Sequence, residues 1–475
     1  MTVIEAHSVT DPVPNLAYDP ALLFKVKQDL DKAIVGEDSN KLQLLLICVS
    51  RGCFPRYRLG AIIGGESSAG KSYLKNTILR YFPEDSIIRV TRMTGASLDR
   101  SQASLDGKIL SIEELGGADA VLAQLRVSIS EGKLNLWTTE KDPHGNITTT
   151  QIQTEGVPVF LSTTTAASAD DETLNRIVIL SVDESKEQTR KILEQEAREY
   201  MDIEDKWKPA PEIVEVLASL LIWPVLIPYA ELLAKAFPAD TVKARRDFRK
   251  LLNLITACTF LHQHQRPFIQ DPSNKLKTFI LATTADLAMV MDLADKSLRQ
   301  TLLNLLERHL RVLSTFRPKE DKLERFLTAG QVAAECGLSV RRARDILREL
   351  HNKGFLYRND EHKTHIWSLK KNVEDTAIVD LAAILSSFGQ TELENFCKVR
   401  KLMLRQRDIE QGQTITLPTT YINPLTGETR NLLERTLSKT SQSRMIFHNP
   451  LDKDATLITT SASASTAPCC NFQQM

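Results

Sequence analysis

The hydrophobic positions change period several times along the chain, and each change marks a candidate boundary. Over residues 21–47 apolar side chains recur at helical spacing and are interrupted at Gly36-Glu37-Asp38, which predicts two helices joined by a turn. From residue 57 to 183 the pattern becomes short β-rich runs separated by helical segments, with strand candidates at 58–64, 87–91, 108–112, 157–163 and 177–182. Strands alternating with helices predict a mostly parallel α/β sheet, because parallel neighbours require a crossover between them. From 185 to 316 almost every periodic stretch is helical, including 244–263 and 285–313. Residues 317–372 switch to a helix–turn–helix followed by a hairpin pattern. One helical stretch, 376–407, then precedes a Thr- and Ser-rich segment ending Ser461-Ala462-Ser463-Ala464-Ser465, too polar to supply a core. The expected organisation is a helical segment over 1–56, an α/β core over 57–184, an all-helical lid over 185–316, a winged helix–turn–helix over 317–372, and a partly helical then disordered tail over 373–475.

Composition narrows the function classes. Hydrophobic residues make up 42% of the 475 residues and charged residues 25%, as in ordinary globular proteins. Lys+Arg and Asp+Glu both number 60, so any nucleic-acid binding must come from local basic patches and not from overall charge. The seven cysteines are scattered and show no C-x-x-C spacing, which argues against a disulfide framework and a zinc site. The N-terminus lacks the basic-then-apolar layout of a signal peptide. The longest apolar run, 216–230, is shorter than a bilayer span and contains Pro224 and Pro228, so it is expected to be a buried helical segment. The expected setting is cytoplasmic and reducing, at the nucleoid, with no membrane partner.

The sharpest chemical signal is Gly65-Glu66-Ser67-Ser68-Ala69-Gly70-Lys71-Ser72, a full match to G-x-x-x-x-G-K-[ST]. An apolar strand candidate precedes it and a helical stretch, 73–81, follows. Glycines there let backbone N–H groups curl around phosphates at a helix N-terminus. Lys71 is expected to neutralise the β- and γ-phosphates of ATP, and the Ser72 hydroxyl to hold Mg²⁺. About forty residues on, Lys108-Ile109-Leu110-Ser111-Ile112-Glu113-Glu114 is an apolar strand ending in two carboxylates. Glu113 is placed behind the Mg²⁺, and Glu114 as the general base for the attacking water. The usual first acid is Asp, so Glu113 is a departure.

The order of motifs resembles the AAA+ ATPases of the minichromosome maintenance helicase type, especially relatives carried by phages and plasmids. The resemblance covers residues 34 to 263 and resumes with the winged helix. Ile34-Val35-Gly36-Glu37-Asp38-Ser39-Asn40-Lys41 is similar to the family's Gly-acid-x-x-x-Lys helix entry. A hairpin with arms at 133–139 and 146–153 and its tip at Lys141-Asp142-Pro143-His144-Gly145 falls ahead of Pro158-Val159-Phe160-Leu161-Ser162-Thr163-Thr164, which matches the sensor-1 strand. The resemblance puts Thr164 at the sensor position, with Thr163 as the second choice. It puts Arg176 in the arginine-finger segment Thr173-Leu174-Asn175-Arg176, reaching the ATP of a neighbouring subunit, and Arg246 at sensor 2, with Arg245 close behind. Arg176 as a surface ion pair, and the two adjacent arginines as a solvated face, are the alternatives. A finger acting in trans implies a homo-oligomer, in this family a ring, usually a hexamer.

Two features point to DNA. Hairpins at this place in ring helicases line the channel, so Lys141 and His144 become candidate contacts for a single strand. Asp-Pro-x-Gly is also good turn chemistry without any ligand. Within 327–369, a second helix capped by Ser339 carries Arg341, Arg342, Arg344 and Arg348, a candidate duplex contact. Pairing of those arginines with Asp345 and Glu349 along the helix is the competing reading. The expected function is an ATP-hydrolysing, ring-forming DNA helicase of a mobile element's replication system, served by a separate primase or loader. An ATP-switched replication initiator and a protein-remodelling ATPase are the alternatives.

Overall fold

The computed structural model describes residues 13–91, 104–113, 124, 127–128, 131–141, 147–164, 177–201, 207–239, 242–271, 274–303, 305, 307–317, 325–359, 365–370, 384, 387–400, 403–405 and 417–432. Two helices, α1 (Leu22–Asp31) and α2 (Asp38–Val49), open the chain as their periodicity predicts. The α/β core follows, with β1 (Gly60–Gly64), α3 (Lys71–Leu79), β2 (Ile87–Val90), β3 (Ile109–Ile112), β4 (Lys133–Lys141), β5 (Ile147–Glu155), β6 (Val159–Thr164) and β7 (Val178–Ser181). All five strand candidates enter one parallel sheet in the order β2-β3-β6-β1-β7. Ala61, Ile62, Ile63, Ile109, Leu110, Ile112, Val159, Phe160 and Leu161 are all buried, as expected of strands covered on both faces. The order puts β6 between the strand that leads into Gly65 and the strand that leads into Glu113.

The hairpin also forms: β4 and β5 pair antiparallel from Lys133↔Glu155 to Lys141↔Ile147. Its base is tied to the core, with Gly156 N donating to Gly132 O (3.1 Å) and Leu105 N to Glu155 O (2.9 Å). Residues 142–146, the expected tip, lie outside the described residues.

The stretch from 185 onward departs from the all-helical expectation. After α4 (Lys186–Glu199) and α5 (Pro211–Ala218) come β8 (Val225–Leu226), α6 (Ala230–Ala236), α7 (Ala244–Leu261), β9 (Phe268–Asp271), β10 (Asn274–Leu281) and α8 (Thr284–Leu302). Together with β14 (Met403–Arg405), three of these strands make a four-stranded sheet in the order β14-β9-β10-β8. The apolar run 216–230 is accordingly not one buried helix. Pro224 and Pro228 bracket β8, since a proline pushes its predecessor out of the α region. β9 and β10 form a local hairpin, whereas the partners of β8 and β14 lie far away in sequence, so no local period announces those two pairings.

The helical stretch 285–313 is divided into α8 and α9 (Glu307–Thr315). Leu305, Val312, Leu313 and Phe316 belong to a second core, with β11 (Leu327–Thr328), α10 (Ala329–Cys336), α11 (Val340–Asn352), β12 (Leu356–Asn359) and β13 (Ile366–Leu369). Its sheet runs β11-β13-β12, antiparallel throughout. Local chemistry sets the turn: Thr328 and Gln331 form a capping box, Gly337 takes φ +66°, and the Ser339 hydroxyl accepts from Arg342 N at 3.3 Å. Beyond it, α12 (Gln390–Val399), β15 (Thr420–Ile422) and β16 (Thr429–Asn431) pack on the first core through Leu393, Cys397 and Tyr421. Cys48, Cys53, Cys258, Cys336 and Cys397 are free and buried. No described helix is long and apolar enough to cross a membrane.

His262, at the end of α7, is fully buried and pushed down to about 4, first by burial and then by the Arg266 charge. Its folded pKa lies below its ordinary 6.5, so the unfolded chain binds more protons between the two values. Stability is therefore expected to fall by about 3 kcal/mol as pH drops from 6.5 to 4, at ~1.36 kcal/mol per unit. Urea midpoints measured across that range should flatten in His262→Asn, which keeps a donor toward the Cys258 carbonyl. An equally steep profile in the variant would place the loss elsewhere.

Candidate nucleotide site

The loop 65–72 connects β1 to α3, so α3 begins at the motif lysine. Its two glycines are required for different reasons. A Cβ on Gly65 would lie 2.5 Å from Val182 Cγ2 and 3.1 Å from Glu184 Oε1, so packing excludes any side chain. Gly70 has open space around it but φ +80°, the left-handed region that glycine enters without strain. Ser68 shares that region at φ +64°. The result is a largely exposed loop over Glu66, Ser67, Ser68, Ala69 and Gly70 at a helix N-terminus, where the macrodipole favours anions; the Glu66 N–H is held by Glu184 and the Ala69 N–H by the Glu66 carbonyl. The donor set fits a polyphosphate. Lys71 is nearly buried and arches back to donate to the carbonyls of Gly65 (2.9 Å) and Glu66, while Ser72 is exposed.

Glu113 stands at the end of β3, in the sheet that also presents the loop. Its N–H donates to Val90 O at 3.0 Å, and its carbonyl accepts the Thr163 hydroxyl. Thr164 is the register partner of Gly64, and its carbonyl accepts Gly65 N at 3.3 Å. Of the two threonines that end β6, it is Thr163 whose hydroxyl meets the Glu113 carbonyl. A hydroxyl and a carboxylate beside a phosphate cradle suit Mg²⁺ held by Ser72 and Glu113. Lys75, one turn after Ser72, is fully buried and places Nζ 3.1 Å from Glu113 Oε1. Burial pushes its ammonium down, and the Glu113 carboxylate pulls it back up.

Several braces surround the loop, and of these only the α2 entry over residues 36–41 falls in a motif that the sequence offers. Glu184 Oε1 accepts Glu66 N at 2.5 Å, tying the loop mouth to the segment after β7. Glu37 accepts Asp183 N at 2.6 Å, and Asn40 donates to Ser181 O at 2.8 Å, so the α2 entry holds the same segment. Burial pushes the Glu37 carboxyl up against these bonds. Lys41 of that entry is fully buried, donating to Asp31 and to Gly36 O (3.1 Å). Such braces join elements distant in sequence, so a local pattern cannot show them.

The remaining candidates are placed less centrally. Glu114, His144 and Arg176 lie outside the described residues, and Lys141 ends β4 opposite Ile147. Arg246 is the third residue of α7, and among the described residues no hydrogen bond or ion pair joins it to the loop. Arg341, Arg342, Arg344 and Arg348 are exposed on α11, and none forms an ion pair with a described residue. Glu349 turns instead to α9, where it lies 2.7 Å from His309 Nε2. Cys258, His262 and Asp286 bring potential ligand atoms within 4.8 Å of one another. Both Asp286 oxygens are already taken by Arg266 and Thr283, which makes this a core ion pair and not a metal centre.

A family model described as the MTBMA_p00010 P-loop domain matches residues 15–217. No curated protein matches the chain. Among solved structures, a full-length MCM homolog from Methanopyrus kandleri is similar at 12% identity and a TM-score of 0.37, over 61% of this chain. This chain covers 63% of that protein's length. Residues 15–217 thus match a P-loop domain, and the five-stranded parallel sheet lies within them.

Proposed function

We propose that the chain is an ATP-hydrolysing DNA helicase or translocase that works as a homo-oligomeric ring, in the replication of a mobile genetic element. The observation that carries this reading is the convergence of the loop 65–72, Glu113 and Thr163 at one sheet, with the β4–β5 hairpin inserted in the chain between β3 and β6. In this reading Lys71 and the loop N–H groups bind the β- and γ-phosphates, and Thr163 or Thr164 orients water. Mg²⁺, held by Ser72 and Glu113, supplies charge neutralisation on the phosphates. Glu114 takes the proton from the attacking water, and Arg176 completes the site of a neighbouring copy. Arg246 serves as sensor 2. Lys141 and His144 follow a single strand through the ring, served by a separate primase or loader.

The second core has the helix–strand–helix–turn–helix–hairpin order of a winged helix, and we assign it a duplex-DNA contact through Arg341, Arg342, Arg344 and Arg348. Their exposure supports that assignment, although the Arg342 charge also acts on Glu349. It also favours one alternative, a DNA-binding initiator that uses ATP as an assembly switch.

The deciding experiment is ATP hydrolysis with and without single- and double-stranded DNA, with Lys71→Ala as the blank. Stimulation by DNA that vanishes in the blank supports the motor, and strand displacement then separates motor from initiator. Hydrolysis indifferent to DNA moves the reading to protein remodelling. Replacing Arg341, Arg344 and Arg348 with Ala together is expected to flatten the log–log salt dependence of duplex binding by about 2–3 units, at roughly 0.9 per lost phosphate contact. Fluorescence anisotropy between low and moderate salt measures this slope, and an unchanged slope would remove DNA from α11.

A further inference from the structure

Lys75 has no role in the P-loop motif, yet it is a fully buried cation inside the candidate site. Its Nζ lies 3.1 Å from Glu113 Oε1 and donates to Ile112 O at 3.2 Å. Taking an ammonium out of water costs several kcal/mol even after relaxation, and a methionine of similar volume would fill the same space without that penalty. Packing therefore gives no reason for a charge here.

The position of the charge does. Lys75 follows Ser72 by one helical turn, so α3 carries the phosphate-binding lysine, the exposed hydroxyl and this second cation on one rigid element. Across from it, the Glu113 backbone is pinned through its N–H to Val90 and through its carbonyl to Thr163. The side chain, one methylene longer than the usual aspartate, has an extra torsion and is 40% exposed. The Lys75 contact removes that freedom by taking one oxygen from the buried side.

We propose that Lys75 is a positioning residue of the nucleotide site, holding Glu113 by one carboxylate oxygen so that its exposed edge meets the Mg²⁺ that accompanies ATP. The proposal rests on the ATPase reading above. It also accounts for a glutamate at the strand end, because the longer side chain is fixed by a cation on the P-loop helix.

The test is binding of a mant-labelled, non-hydrolysable ATP analogue by the full chain, titrated with Mg²⁺ and, separately, in EDTA. In wild type, Mg²⁺ should tighten binding. Lys75→Met should lose about 10-fold of that Mg²⁺-dependent gain, as for other groups that orient metal ligands, with its affinity in EDTA unchanged. Lys75→Arg should keep most of the gain. Glu113→Gln should lose it, and adding Lys75→Met to Glu113→Gln should cost nothing more, because the lysine acts through the glutamate. A gain that is unchanged or larger in Lys75→Met would overturn the assignment. So would a loss equal in EDTA and Mg²⁺, which marks a merely structural lysine, or full additivity with Glu113→Gln. Wild type that binds the analogue without Mg²⁺ dependence overturns the Lys75 assignment alone. Wild type that does not bind it overturns the ATPase reading and this one with it.

Discussion

Lys71→Ala is expected to lower ATP hydrolysis by at least about 100-fold, the scale seen when one charge-stabilising donor is removed from a transition state. The expectation has two parts. Electrostatically, Lys71 is the cation of the cradle, and the N–H groups around it cannot replace a full positive charge on the β- and γ-phosphates. Structurally, its bonds to the carbonyls of Gly65 and Glu66 hold the two ends of the loop together. Each such bond contributes only about 1 kcal/mol net, so the fold should survive. Lys71→Arg should not restore activity, because a planar fork cannot occupy the niche of a compact ammonium. Phosphate release measured beside circular dichroism separates the two parts. Hydrolysis retained by a folded Lys71→Ala would mean that the loop is not the nucleotide site.

The second large effect lies in the core. Asp286→Ala should destabilise the first core by about 3–5 kcal/mol, the cost of stranding a buried charge. Arg266 is buried and meets Asp286 through Nε at 3.0 and 2.9 Å and through Nη2 at 2.8 Å. Thr283 adds its N–H at 2.8 Å and its hydroxyl at 3.0 Å, so every bond of the carboxylate is to protein. Burial would push this carboxyl up, yet Arg266 beside it holds it below the ordinary value. Its folded pKa is depressed, so the stabilisation is complete above the unfolded value and is lost as pH falls through the folded one. Replacing both partners, Asp286→Ala with Arg266→Met, should recover a large part of the loss. Hydrogen exchange locates the effect: amide protection in α7 and α8 should drop by about 100-fold or more, at ~1.4 kcal/mol per factor of ten, with α11 in the separate second core unchanged. A uniform loss across both cores would show that they unfold as one unit.

The legible part of this molecule was what neighbours in sequence decide among themselves. A phosphate cradle needs a strand, a glycine turn and a helix start within a dozen or so residues, and Gly65 to Ser72 contain all of it. The five core strands and the hairpin arms are short runs whose β-rich composition is local, and Thr328, Gly337 and Ser339 announce the second helix–turn–helix through cap chemistry alone. The less legible part was what distant segments decide together. β9 and β10 are a local antiparallel hairpin, but β8 reaches β10 and β14 reaches β9 only across long stretches of chain, more than a hundred residues for β14. The helical pattern 285–313 contains no signal that its second half will leave the first core and join Trp367 in another.

The same division runs through the candidate site. From the sequence alone came the loop and Glu113 as the acid at a strand end, and the family resemblance added the threonine pair of residues 163 and 164. The resemblance puts Thr164 first and Thr163 second at the sensor position; that the Thr163 hydroxyl meets the Glu113 carbonyl is a matter of strand register, because a one-residue slip turns a side chain to the opposite face of the sheet. Lys75 and Glu184 entered only when the fold brought α3 and the exit of β7 around the loop, and the partner of Glu37 only when the start of α2 met that exit. Periodicity and turn chemistry report on the nearest turns of the chain. The partner of a buried charge is set instead by which elements pack together, and that depends on the closure of loops many residues long.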